Sequence, residues 1–157
     1  MKGNKKVLEQ LNDLLSDELT AINQYMVHGE MAEDWGYPVL HEAIEKRAIT
    51  EMRHAEKHIA RILFLEGIPI VSNLKAIHIG ADVPKIFAND HAAEQEAIDK
   101  YNAAIKVCME AGDNGTKEML DAILVDEEAH IDYIETEMSK MEQMGLTFYL
   151  STLTKES

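Results

Sequence analysis

Two stretches of this chain carry the same three residues at the same spacing. Glu18 stands 33 residues before Glu51, which is followed three positions later by His54. Glu94 stands 33 residues before Glu127, which is followed three positions later by His130. Four carboxylates and two imidazoles at duplicated spacing read as the donor set of a two-metal site. Any fold for this chain therefore has to bring two distant segments to one place.

The punctuation of the sequence predicts an all-α chain. Its three prolines and eight glycines fall mostly at the edges of periodic segments. A first helix is expected from about Lys5 to Trp35, with Val7, Leu11, Leu14, Leu15, Ile22 and Tyr25 at helical spacing. Gly36 stops it and Pro38 opens a second helix, about Val39 to Glu66, which Gly67 and Pro69 end. A third begins after Asp82 as N-cap, with Pro84 in its first turn, and ends near Gly112. A fourth runs from about Gly115 to Met144, and Thr147 is expected to cap a short fifth, Phe148 to Lys155.

The connections set the topology. Those at Gly36–Pro38 and Gly112–Asn114 are short enough to make helical hairpins. The middle one, Gly67 to Asp82, has 16 residues and reaches about 50 Å when extended, whereas a helix of that size class is about 42 Å long. It can run the length of the bundle and deliver the second hairpin inverted, which gives a four-helix bundle with one long crossover and a pseudo-twofold. Ile70, Val71 and Leu74 are expected to pin the crossover to the bundle. All 157 residues are read as one domain, 1–157.

In that topology the six residues share one height, near the middle of their helices, and Glu51 and His54 share one face. Leu14, Leu15 and Ile22 around Glu18, and Leu124 and Ile134 around the last pair, say that this face is inward. Buried carboxylates cannot all stay ionised without compensation. Oxygen donors with two imidazoles suit iron or manganese, and the lack of thiolates argues against a structural zinc site. Glu56, Asp126 and Glu128 stand beside the pattern and read as solvated or inner-surface charges.

The formal net charge of −14 disfavours nucleic acid as a partner. No apolar run is long enough to span a membrane, and no signal-peptide core is visible. Cys108 is the single cysteine, so no intramolecular disulfide forms, which fits a reducing, cytoplasmic setting. It reads as an inert buried thiol. His28, His41, His58, His78 and His91 lack duplicated partners and read as surface or packing residues, and Trp35 as a packing residue.

Met52 follows Glu51 and, one step of about 100° round the helix, points out of the bundle. With Ile49, Ala55 and Ile59, and with Leu19, Ile22, Asn23 and Met26 on the first helix, it makes a largely apolar outer stripe that predicts a subunit contact. Periodicity by itself supports only packing there for Met52 and Met26.

The segments MKGNKKVLEQLN, LLSDELTAINQYMVH, EMRHAEKHIARILFLEG, IGADV and DEEAHIDYIETE together resemble the bacterioferritins over essentially the whole chain. The resemblance implies a ferritin-like bundle and an iron-storage ferroxidase, oxidising Fe(II) with O2 or peroxide at a di-iron centre inside each subunit. Glu51 and Glu127 would bridge the irons, Glu18 and His54 would bind one, and Glu94 and His130 the other, with Tyr25 nearby. It further implies a haem, haem b by type, held by Met52 from each of two subunits and lined by the outer stripe. Twofold dimers would assemble into a hollow 24-subunit cage storing ferric mineral, with a ferredoxin as electron donor for iron release. Lys46 and Thr50 stand where some members have His and Asp that bind a further iron, which puts that electron route in doubt. Met26 and Glu45 replace residues that are often aromatic.

Two other readings share the repeat. A haem-binding electron carrier or structural cage with little ferroxidase activity keeps the fold and changes the function. A rubrerythrin-type peroxidase would need Cys-x-x-Cys pairs that this chain lacks, and a starvation-type mini-ferritin, whose site lies between subunits, would not need the internal duplication.

Overall fold

In the computed structural model, which describes residues 1–155, the chain forms five helices: α1 Lys5–Asp34, α2 Pro38–Phe64, α3 Val83–Glu110, α4 Asn114–Met144 and α5 Leu146–Ser151. Helix starts follow local chemistry. The Asn4 side chain accepts from Lys6 N and Val7 N, Asp82 from Lys85 N, and Asp113 from Thr116 N. Pro38 supplies the first turn of α2. The hairpin turns pass through Gly36 at φ +84° and Gly112 at φ +69°, a region open to glycine and costly for other residues. The fifth helix starts earlier than Thr147 as cap would have it: it follows Gly145 directly and ends at Ser151. Tyr149 anchors it by donating 2.6 Å to the buried Glu137 carboxylate.

α1 packs along α2 and α3 along α4, and α1 against α3 joins the two hairpins; α2 and α4 meet more sparsely. The core divides in two. One cluster holds Val7, Leu11, Leu14, Leu15, Ile62, Ala104 and Leu120, the other Ala32, Leu40, Ile44, Ile86, Phe87 and Ile134. On every long helix the residues of the duplicated pattern fall between the parts contributed to these two clusters. The polar site is thus sealed at both ends by packed hydrocarbon.

The crossover is held differently from expectation. Ile70, Val71 and Leu74 are 41%, 57% and 52% exposed, so they do not pin it. A polar ladder on α1 does. Asn12, Ser16, Thr20, Gln24 and His28, spaced four apart on one helix face, bond the crossover backbone at Ile68 and Ile70, Asn73, Lys75, His78 and Gly80. An extended segment has no partner strand here, so its backbone polar groups need side-chain partners. His28 is fully buried and its Nδ1 lies 2.9 Å from Asp90, which also accepts from Gln24 at 2.8 Å. The ladder therefore ties α1, α3 and the crossover together.

Candidate metal centre

All six residues of the duplicated pattern meet. Glu18, Glu51, His54 and Glu127 bring donor atoms within 4.8 Å of one another, and so do Glu51, Glu94 and His130. All are buried except His130, which is half-buried. Glu51 and Glu127 lie centrally. Their Oε2 and Oε1 atoms, respectively, each stand 3.0 Å from His54 Nδ1, and Glu18 Oε1 is 3.7 Å from it. In the other half His130 Nδ1 is 2.6 Å from Glu94 Oε1.

The electrostatics show what four carboxylates do to one another. Burial, with Glu51 beside it, pushes Glu18 well above the usual carboxylate range, and burial with Glu51 and Glu94 does the same to Glu127. Glu94 goes the other way: burial opposes its charge, but His130 and Arg47 hold it well below that range. Burial also opposes charge on His54, yet the carboxylates of Glu127, Glu18 and Glu51 around it lift it to about 12. The cluster demands positive charge.

A test of fit for metal comes from buried oxygens without a hydrogen bond. Glu94 Oε2 in one half has none among the described residues, and Glu127 Oε1 in the other stands 3.0 Å from His54 Nδ1 without accepting a well-directed one. Such orphans are expensive in a native core, and divalent cations bound by carboxylate and imidazole would satisfy both. The residues present therefore fit a pair of metal ions.

Several participants escape a reading from apolar spacing. Adding 76 to the number of a first-hairpin residue finds its mate in the second: 18 and 94, 51 and 127, 54 and 130, and also Tyr25 and Tyr101. Tyr101 OH donates to Glu18, and Tyr25 OH to Glu94, each across the α1–α3 contact. Burial raises both phenols far above their ordinary range, so they remain donors. The signal for Tyr101 was its position seven residues after Glu94, matching Tyr25 after Glu18.

Other residues break the symmetry. Asp126 is not merely solvated: its Oδ2 lies 3.0 Å from His54 Nε2, fixing the imidazole so that Nδ1 faces the centre. Its mate is Thr50. His58, fully buried, pairs with Tyr101 OH at 2.6 Å, and burial holds it neutral, down at about 3; its mate is Ile134. Arg47, mate of Ile123, enters the centre itself, with Nε 2.6 Å from Glu51 Oε1 and Nη2 2.5 Å from Glu127 Oε2. The clue in the sequence was an Arg four residues before Glu51, on the same helix face. Cys108 is fully buried, with its thiol pushed up to about 11, chiefly by burial.

The outer stripe is present: Met26, Ile49 and Met52 are exposed, and Leu19, Ile22, Asn23 and Ile59 partly so. Ala55 does not belong to it. It is buried in the core, because it stands on the inward face one residue after His54.

The ferritin-like domain family model matches residues 8–144. A bacterioferritin of Mycolicibacterium paratuberculosis is 41% identical over 149 residues, covering 95% of this chain and 94% of that protein. A bacterioferritin of Rhodobacter capsulatus is 42% identical over 145 residues, 92% of this chain and 90% of its own length. One of Streptomyces coelicolor is 39% identical over 157 residues, 100% of this chain and 94% of its own.

Proposed function

This chain belongs to the bacterioferritins of the ferritin-like family and is an iron-storage protein, and we propose that it oxidises the iron it stores at the Glu18–Glu51–His54–Glu94–Glu127–His130 centre. The observation that carries this reading is the convergence of four buried carboxylates and two imidazoles in two groups, each with its donor atoms within 4.8 Å, with Glu94 Oε2 buried and without a hydrogen bond among the described residues.

Fe(II) is the substrate, and it supplies the electrons that O2 or peroxide accepts. The chain's own residues bind, orient and exclude water. Glu51 and Glu127 would serve both metal ions, with Glu18 and His54 completing one set and Glu94 and His130 the other. Tyr101 and Tyr25 steer Glu18 and Glu94, and Asp126 steers His54. The two apolar clusters keep the surroundings dry, which strengthens each charge interaction.

The remaining parts of the proposal concern assembly. The exposed Met52, Met26 and Ile49 stripe is the surface through which two subunits pair about a twofold and hold a shared haem, haem b, with one Met52 thioether from each. The 24-subunit cage, a ferredoxin electron donor and a cytoplasmic location follow from the bacterioferritin resemblance. None of the helices is long and apolar enough to cross a membrane, among the described residues.

Stopped-flow measurement of Fe(II) oxidation tests the centre. Glu18→Ala and His130→Ala each remove a ligand from a different half, and both are expected to lose rapid oxidation. Wild-type rates in both variants would sink the assignment.

A further inference from the structure

The pseudo-twofold that relates the six ligands does not extend to Arg47. Its mate, Ile123, is a fully buried hydrocarbon, whereas the Arg47 guanidinium stands among the carboxylates of the centre. Each central carboxylate presents one oxygen to His54 and the other to Arg47. Glu51 Oε2 and Glu127 Oε1 face His54 at 3.0 Å. Glu51 Oε1 and Glu127 Oε2 face Arg47 instead, at 2.6 and 2.5 Å. Glu94 Oε2, the orphaned oxygen of the second half, is 3.7 Å from the same guanidinium nitrogen. Arg47 thus stands on Glu51 and Glu127, the two central carboxylates, and beside Glu94 of the second half. Among the described residues, the Glu18–His54 side of the centre contains no side-chain cation beyond its own imidazole.

We propose that Arg47 is a built-in cation that holds the Glu94–His130 half of the metal-free centre and has to be displaced before that half takes its metal ion, so that the two halves fill in order, Glu18–His54 first. This rests on the two-metal reading above and adds a sequence of events to it. A ligand imidazole can release a proton to an arriving metal ion. A guanidinium cannot be deprotonated in a protein, so its charge leaves only if the side chain moves. The way out exists. Arg47 lines a surface-opening cavity with Lys46, Thr50, Arg53, Asp126 and Tyr133, and its Nη1 already donates 3.3 Å to the Asp126 carbonyl. The sparse contact between α2 and α4 leaves room for the movement.

The test is an anaerobic titration of the assembled, metal-free protein with Co(II), a probe that does not turn over, followed by visible absorption and calorimetry. The wild type is expected to bind two Co(II) per chain in two steps. Arg47 gives up charge-assisted contacts at the second, which separates the affinities by about tenfold or more. Arg47→Leu, which restores the hydrocarbon of the symmetry mate, should merge the steps, while Arg47→Lys should keep them apart. The melting temperature of metal-free Arg47→Leu should fall below wild type and recover with Co(II). Equal affinities in the wild type overturn the proposal, as does an unchanged gap in Arg47→Leu. If Arg47→Leu does not fold, Arg47→Gln takes its place. Two ions bound equally in every form leave the metal centre standing and sink only the role of Arg47; no Co(II) bound by any form sinks the metal centre as well.

Discussion

Tyr101 on α3 donates its phenolic hydrogen to the Glu18 carboxylate on α1. The bond crosses the joint between the two hairpins, and Tyr25 makes its counterpart in the opposite direction, to Glu94. Each hairpin therefore orients a carboxylate belonging to the other. Neither side of the centre is the property of one hairpin, and the two cannot drift apart without both carboxylates losing their donor.

Tyr101→Phe is expected to weaken the Glu18–His54 half and leave its partner largely unaffected. The phenyl ring fills the same space, so packing is kept, but Glu18 loses the donor that fixes its rotamer. Loss of an outer-layer hydrogen bond to a metal ligand costs about 10- to 100-fold in affinity. Calorimetric Co(II) titration of the metal-free variant measures it. An unchanged first affinity would show that Glu18 is oriented by its helix alone.

Gln24→Leu tests the polar ladder that holds the crossover. The substitution leaves the His78 amide and one Asp90 contact without their partner. A buried group left unpaired costs about 1–3 kcal/mol, and at this chain length about 2–4 °C in Tm accompanies each kcal/mol. Thermal unfolding of metal-free protein should show a loss of a few degrees. The matching change at an exposed crossover side chain, Ile68→Ala, should show little loss in the dissociated subunit. A stable Gln24→Leu protein would return the task of holding the crossover to apolar contacts.

What was legible in the sequence, and what was not, follows from how each feature is encoded. The six residues of the centre announce themselves because they occur twice, and the helices because apolar residues recur along one face while Asp82 and Pro38 mark two of their starts. The crossover's anchoring is invisible to apolar periodicity, since the ladder from Asn12 to His28 pairs side chains with backbone groups that no residue letter reveals. Reliance on apolar letters placed Ile70, Val71 and Leu74 against the bundle when they face outward. Arg47 and His58 escaped for the opposite reason to the ligands: they are single, and their mates Ile123 and Ile134 carry no chemistry. Asp126 escaped because one helical step from Glu127 looks like the solvent face, although His54 reaches across from α2 to meet it.

Cys108 should behave as an unreactive thiol. Only the thiolate attacks electrophiles, and a thiol raised to about 11 by its burial is only about 0.1% ionised at pH 8, against roughly a quarter for an ordinary thiol near 8.5. The sign is fixed: below pH 11 the folded chain is the less reactive form. Labelling with a chromogenic disulfide at pH 8 is expected to be at least about 100-fold slower in native protein than in denaturant. Comparable rates would mean that the α3–α4 end of the bundle opens freely.

The exposed thioethers separate the two chemistries assigned to this chain. Met52 follows the central carboxylate Glu51 directly, yet the helix turns it outward, where it is 46% exposed beside Met26 at 51%. A thioether suits a soft or borderline metal such as haem iron and adds nothing to an oxygen-rich centre for hard cations. Met52→Leu keeps hydrocarbon volume at the subunit contact and removes only the sulfur, so dimerisation should persist while haem binding is lost. The visible spectrum of the protein reconstituted with haem reads the outcome directly: the thioether-ligated bands should vanish in Met52→Leu and persist in Met26→Leu. Stopped-flow Fe(II) oxidation should stay within about twofold of wild type in both, because neither residue reaches the buried carboxylates. Haem retained by Met52→Leu and lost by Met26→Leu would move the ligand from α2 to the neighbouring stripe on α1. Loss of iron oxidation with haem retained would show that Met52 supports Glu51 through the helix, and that the outer and inner faces of α2 do not act independently.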